Sequence, residues 1–311
     1  MKKEYLGIAI GAERIAAVYG SAVGEEGAVR GTYSMKRTEA GMRRDCETFI
    51  ERFSLDGIPA GAVFEFEPHV RCSRIPSSEK IRIRELLRWH GEEYLPWGTD
   101  LYYYDYLTRT SEDGDVRFVF TVSLPKARIH EVSDGLTEAE CALSLIDYWP
   151  APIMSTYKGA GPFINGVRTE EGDVLLCAWF KAMCTDVLRV PPTSKDIALG
   201  IEEMRVRLLD MGIGELRGVD LRDVYVGCAG SSEGESFGNE SGSGDADALR
   251  TAELAEDMES TEAAFGRPEF IEPVEGMFDG DDVLMRAAWG LVCRGLGTDG
   301  HTRMQSMWSR L

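Results

Sequence analysis

Long apolar runs, paired cysteines and a surplus of positive charge are all missing from this 311-residue sequence. No segment approaches the roughly 20 apolar residues that a helical membrane span requires, so a membrane role is expected to work through partners. The start, Met1-Lys2-Lys3-Glu4, is basic but is not followed by the apolar stretch of a secretory leader. A net charge of −19 argues against nucleic acid as a main partner, because phosphate backbones reward clustered Lys and Arg. The seven cysteines (46, 72, 141, 177, 184, 228 and 293) are odd in number and contain no C-x-x-C pair. Several sit inside apolar runs such as Val174–Phe180, which points to reduced, buried thiols in a cytosol rather than to disulfides or metal. The four histidines (69, 90, 130 and 301) are scattered with no i,i+4 pair, and no metal site is read from them.

The negative charge that is present is concentrated. Ser231 to Asp282 holds sixteen acidic residues against Arg250 and Arg267, a local balance of −14 that leaves only about −5 for the rest of the chain. Within it, 231–244 is, apart from Phe237, Ser, Gly, Glu and Asn, too polar to bury a core, and the stretch 231–264 is expected to be a disordered acidic insertion. Gly230-Ser231-Ser232-Glu233-Gly234 matches the G-x-S-x-G of serine hydrolases, but an acidic Gly/Ser stretch follows where that chemistry needs a helix. Asp279-Gly280-Asp281-Asp282 lacks the twelve-residue loop of a calcium site and reads as a helix cap.

Periodicity organises the remainder. Tyr5–Ile10, the turn Gly11-Ala12-Glu13 and Arg14–Tyr19 read as a hairpin, with Ala28–Ser34 as a third strand, helix Cys46–Phe53 and strand Ala62–Glu67 after it. Between Arg74 and Tyr148 a helix starting at Ser77 or Ser78 is expected to run to about Tyr94, where Pro96 ends it. Strands Leu101–Leu107 and Val116–Val122 flank an Asp-Gly turn, with Val116, Phe118, Phe120 and Val122 on one face. A second helix from Pro125 and a strand Ala142–Tyr148 are expected to close this unit. Later come strands Val174–Phe180 and Asp186–Val190, a helix from Ser194 to Met211, strand Asp223–Gly227 and a last helix from Asp281 to Gly295.

Three stretches, in order along the chain, resemble the PilM family of type IV pilus assembly proteins. They are Y-L-G-I-A-I-G-A-E-R-I-A-A-V-Y from Tyr5, the run Glu85 to Tyr106 with its W-x-x-x-x-Y-L-P and Asp-Tyr, and A-A-W-G-L-V-C-R-G-L from Ala287. The resemblance implies an α/β, two-lobed actin-like fold related to FtsA, in which ribonuclease-H-like lobes carry a small α+β subdomain inserted in the first. The implied division is 1–73 for the start of the first lobe, 74–148 for the insertion and 149–165 for a return to the first lobe. The second lobe is expected over 166–280, and a final helix within 281–311 returns to the first.

The family is cytoplasmic, peripheral to the inner membrane, and binds the N-terminal peptide of the inner-membrane protein PilN beside the inserted subdomain. Carried onto this chain, that groove involves Trp89, Tyr94, Leu95, Pro96 and Asp105. Aromatic groups with an apolar body and a polar tip are suited to anchoring a peptide.

The nucleotide motifs of the superfamily are eroded. The first phosphate hairpin, D-x-G-x-x-x-x-K, has Ala9 and Ala16 at its Asp and Lys positions and keeps only Gly11. The second is expected around Cys177-Ala178-Trp179-Phe180, where the acid and glycine are absent; the adenosine loop survives as Gly227-Cys228-Ala229-Gly230. Since positioning and charge stabilisation are nearly all of phosphoryl-transfer catalysis, the chain is expected not to be an enzyme, and ATP and magnesium are disfavoured as cofactors. A pilus or competence-type scaffold is therefore the leading expectation. A nucleotide-dependent filament-forming switch is one alternative. A GspL-like secretion component is another, although GspL-like chains continue into a membrane span and this sequence ends at Leu311.

Overall fold

The first hairpin grows into a mixed sheet whose strand order repeats in the second half of the chain. In the computed structural model the described residues are 3–23, 26–77, 82–89, 101–111, 114–149, 151–156, 163–180, 183–210, 222–226 and 282–297. Strands β1 (Glu4–Ile10), β2 (Arg14–Val23) and β3 (Glu26–Lys36) pair antiparallel in succession. After helix α1 (Met42–Phe53), strand β4 (Pro59–Phe64) returns parallel to β1, and β8 (Ala142–Tyr148) lies parallel to β4. The order β3-β2-β1-β4-β8 is that of a ribonuclease-H-like lobe. Three antiparallel strands come from local turns, whereas the parallel ones need crossovers, so α1 separates β3 from β4.

Helix α1 packs against α3 (Lys126–Glu138), and α6 (Val283–Leu296) lies across β1 and β2. The sequence of α6, V-L-M-R-A-A-W-G-L-V-C, is apolar around nearly its whole circumference, and twelve of its residues are buried. Its approach to β1 needs Gly7, where a Cβ would overlap the carbonyl oxygen of Ala288. Arg294 of α6 makes a buried ion pair with Asp147 of β8 and donates to the carbonyl of Ala151. Removing one member of such a pair typically costs about 3–5 kcal/mol, because the other charge is left buried alone.

The second sheet repeats the pattern. Strands β9 (Phe163–Arg168), β10 (Val174–Phe180) and β11 (Met183–Val190) are antiparallel neighbours, and β12 (Arg222–Val226) is parallel to β9. One face buries Ile164, Leu176 and Ala178 under Ile197, Ile201, Met204 and Leu208 of α5 (Ser194–Asp210). The other face, with Leu175, Cys177 and Trp179, joins the same core as the first lobe. The short helix α4 (Ala151–Ser155) packs on α6 within that core. The lobes thus share one continuous apolar interior.

A third, three-stranded antiparallel sheet, β5-β7-β6, is formed by β5 (His69–Pro76), β6 (Tyr102–Thr110) and β7 (Val116–Pro125). Because neighbours on a strand face opposite ways, its two sides differ. Ile75, Val119, Tyr104 and Tyr106 pack with Ile83 and Leu87 of α2 (Ile83–Trp89). Phe118 and Phe120 face the second lobe, with the Phe118 and Phe180 rings 5.5 Å apart, while Val122 and Leu124 join the first-lobe core.

The molecule is therefore a two-lobed actin-like α/β fold with an inserted α+β subdomain. The extent of the insertion needs correction, since it runs from His69 to Pro125 rather than over 74–148. Helix α3 packs on α1, and β8 is a strand of the first sheet, where pairing with β4 buries it. Likewise β9 begins at Phe163, inside the 149–165 stretch expected to return to the first lobe. The acidic segment 231–264 lies outside the described residues. Among the described cysteines all six are free; five are buried and Cys72 is half-buried. Burial pushes the Cys46 and Cys72 thiols up to about 12, which makes them inert.

Candidate functional site

Where the lobes meet, the turn of each sheet's first hairpin faces the other. In the first lobe, Gly11 N–H closes the turn on the Arg14 carbonyl at 2.8 Å. Arg37 braces it from behind by donating to the carbonyls of Gly11 and Ala12 at 2.9 and 3.2 Å. This leaves the N–H groups of Glu13 and Arg14 pointing outward, together with the Arg14 guanidinium. Successive N–H groups beside an arginine make an anion site.

In the second lobe, the β9–β10 turn is held by Thr169 N–H on the Asp173 carbonyl at 2.8 Å, with Gly172 at a φ of 99° that suits glycine. Glu170 at its tip fills the anion site opposite. Its Oε2 accepts from Glu13 N–H at 2.7 Å and Arg14 N–H at 3.3 Å, and its Oε1 accepts from Arg14 Nε at 2.8 Å. A Cβ at Gly11 would overlap this carboxylate, so the glycine makes room for it.

Two more acids complete the cluster. Asp282 caps α6 by accepting from the N–H groups of Leu284 and Met285 at 3.0 and 3.1 Å. It also takes both terminal nitrogens of Arg14, at 2.6 and 2.7 Å. Glu65 follows β4, with its N–H on the Ile10 carbonyl at 2.7 Å and its carboxylate accepting the Glu170 N–H at 3.0 Å. The side chains are well covered, with exposures of 8% for Glu170, 13% for Asp282 and 26% for Arg14.

Burial pulls the Arg14 guanidinium down, but the bonds to Asp282 and Glu170 outweigh it and hold Arg14 above its ordinary value. Burial, then the nearby Glu170 charge, pushes the Glu65 carboxyl up to about 7, with the Glu170 N–H opposing. Arg14 thus ties three elements together: β2, the second-lobe turn and the start of α6.

The expected nucleotide positions fare differently. Gly11 is at the junction. Ala9 and Ala16 are fully buried and paired with each other across β1 and β2, so neither position carries charge. The placing of the second phosphate hairpin at Cys177–Phe180 is corrected. Ala178 lies within β10, opposite Ile164 and Asp186, and the turn equivalent to the first one is Thr169–Asp173. The loop with Gly227 and Gly230 lies outside the described residues.

Of the groove residues, Trp89 ends α2, and Tyr94, Leu95 and Pro96 fall outside the described residues. Asp105 is half-buried within β6, and its Oδ1 accepts its neighbour Tyr106's N–H at 2.7 Å. Burial pushes its carboxyl up, and that one hydrogen bond opposes. Sequence reasoning missed Arg14, Glu65 and Glu170. Only Asp282 carried a local signal, as the acid before an apolar helix.

Among known structures, the chain is similar to one described as the PilM-PilN type IV pilus biogenesis complex. The TM-score is 0.57 at 14% identity, covering 94% of this chain and 98% of that chain. The likeness establishes a common fold over nearly the whole length. The cytoplasmic domain of EpsL, an inner membrane component of the type II secretion system of Vibrio cholerae, matches at a TM-score of 0.41 and 10% identity over 82% of this chain and 96% of that one. An Aquifex aeolicus PPX-GPPA enzyme follows at 0.34 and 10% identity over 73% and 68%. No family model matches the sequence, and no curated protein matches it. Among the described residues no helix is long and apolar enough to cross a membrane.

Proposed function

We propose that this protein is a scaffold of a type IV pilus or related assembly machine that works without hydrolysing nucleotide. It holds an extended N-terminal segment of a PilN-like inner-membrane partner, and through that partner sits at the inner face of the cytoplasmic membrane. The observation that carries this reading is the Glu170 carboxylate in the first hairpin turn. A phosphate at that turn would meet a fixed negative charge where it needs donors, and with Ala9 and Ala16 there is neither a metal-placing acid nor a lysine to compensate.

With the lobes sharing a core and clasped by Arg14, nucleotide-driven opening has little to act on. The molecule instead offers a rigid body with surfaces beside the inserted sheet. Likeness of fold to the PilM chain supports the choice of partner, and the groove is assigned to Trp89, Tyr94, Leu95, Pro96 and Asp105, with Gly11, Gly227 and Gly230 as relics of a nucleotide cleft.

The test is a fluorescence-polarisation titration with a labelled peptide, the cytoplasmic N-terminus of the PilN-like protein from the same genome, with and without Mg-ATP. Saturable binding indifferent to ATP is expected. Binding that requires ATP would overturn the nucleotide-free scaffold, and no binding in either condition would remove the partner.

A further inference from the structure

The donors of the first hairpin turn define what that turn can hold. Glu13 N–H, Arg14 N–H and Arg14 Nε–H all meet the Glu170 carboxylate. Both terminal nitrogens of Arg14 are engaged by Asp282, at 2.6 and 2.7 Å, and are spent on the α6 side of the joint. What remains fits a planar carboxylate: two backbone N–H groups converge on one oxygen, and the edge of the guanidinium takes the other. Gly11 bounds the space, since a Cβ there would stand 2.3 Å from Glu170 Oε2.

Charge sets the valence. Arg14 is shared between Glu170 and Asp282. Glu65 accepts the Glu170 N–H at 3.0 Å, and burial followed by the Glu170 charge pushes its carboxyl up to about 7. One negative charge in the turn is thus already felt by its neighbours. A tetrahedral dianion would double that charge beside Asp282 and Glu65, and would bring oxygens for which these three donors leave no partner.

We infer that the first hairpin turn is a carboxylate-selective site, and that the chain keeps it shut with its own Glu170, an internal ligand that excludes anions from solution. This deepens the nucleotide-free reading above and rests on it. The donors do not need the Glu170 side chain to hold their places. The Gly11–Arg14 turn bond, the brace from Arg37 and the Glu170 N–H on Glu65 all survive its removal. Trimming Glu170 therefore opens a site for a small free carboxylate, formate or acetate, in the place the tethered one held. In the parent protein the tethered carboxylate wins, because it is bound intramolecularly at a high effective concentration.

The test is a melting-temperature series on the whole protein, parent and Glu170→Ala, with formate, acetate, phosphate, sulfate and chloride at matched ionic strength. The effect of each salt on the parent is subtracted, because phosphate and sulfate stabilise folded proteins in general by exclusion from their surface. Formate or acetate is expected to raise the melting temperature of Glu170→Ala saturably, recovering about half of what the substitution lost. Phosphate and sulfate should give no saturable rise beyond their effect on the parent. Adding Gly11→Ala to Glu170→Ala should abolish the response to formate, since the new methyl stands where the carboxylate oxygen binds. If Glu170→Ala does not fold in chloride, the folded fraction by circular dichroism reads the same series: formate restores it and phosphate does not.

A Glu170→Ala protein that responds to none of the anions, or to phosphate as strongly as to formate, would overturn the inference and leave the scaffold intact. So would an equal response to formate when Gly11→Ala is added. A parent protein that binds Mg-ATP would remove the nucleotide-free reading and this inference together.

Discussion

The turn between β1 and β2 and the turn between β9 and β10 hold the same place in two sheets of matching strand order, yet their chemistry is opposite. The first, Gly11-Ala12-Glu13, presents donors: two backbone N–H groups and the Arg14 guanidinium. The second, Thr169 to Asp173, presents an acceptor, the Glu170 carboxylate, and the two fit each other. A pair of equivalent turns that both offered donors would leave a space for an anion between them. Making one of them acidic fills that space from within and turns a cleft into a joint. Glu65, on the first-lobe side, adds a third carboxylate beside Glu170, so the joint is held closed against some internal repulsion.

Breaking the donor side should have the largest effect. Arg14→Met leaves Glu170 and Asp282 facing each other without their cation, and is expected to cost about 3 kcal/mol, less than for a fully buried pair because Arg14 is partly exposed. Chemical denaturation would read this as a lower midpoint at unchanged slope. Breaking the acceptor side should cost less. Glu170→Ala strands the N–H groups of Glu13 and Arg14, at about 1–3 kcal/mol, moderated by water entering the vacated turn.

The third change concerns pH. Glu65 is pushed up to about 7 from an ordinary value of 4.5. Its ionised form is therefore the one the fold disfavours, and its contribution is full below about 4.5 and lost as pH rises through 7. Relative to Glu65→Gln, the parent protein should lose stability between those two values, measured as the difference of their melting temperatures across the range. A difference that does not change with pH would show that Glu65 is not strained. The smallest effect sharpens the comparison by one residue. Glu171, next to Glu170 in the same turn, pairs with Arg189 at 2.9 Å in solvent, and Glu171→Ala should change stability by no more than about 0.5 kcal/mol.

Much of the fold was legible in the sequence because its signals are local. The first hairpin is an apolar run, a glycine turn and a second run; β6 and β7 flank an Asp-Gly; α6 is a long apolar stretch behind an acidic cap. What was misread depends on distance. Strand β8 looks like the close of the inserted unit until parallel pairing with β4, more than 80 residues earlier, assigns it to the first sheet. Strand β9, F-I-N-G-V-R, carries Asn, Gly and Arg in place of a clean apolar run, so the second lobe's hairpin was placed one strand late, at Ala178.

The junction itself had no local signature. Thr169-Glu170-Glu171-Gly172-Asp173 reads as an ordinary polar turn, and nothing in it distinguishes Glu170, whose partner Glu13 lies 157 residues away, from the solvated Glu171. Asp105 was legible only as part of a motif. Its place in the fold, opposite Val122 with Val70 beyond, emerges only once register is set.

The most direct test of the central claim is a thermal-shift titration of the parent protein with Mg-ATP, since a ligand that binds only the folded state must raise the melting temperature. The filled turn predicts no shift at millimolar nucleotide. A saturable rise in melting temperature would mean that Glu170 yields its place to phosphate and that the joint is a working cleft.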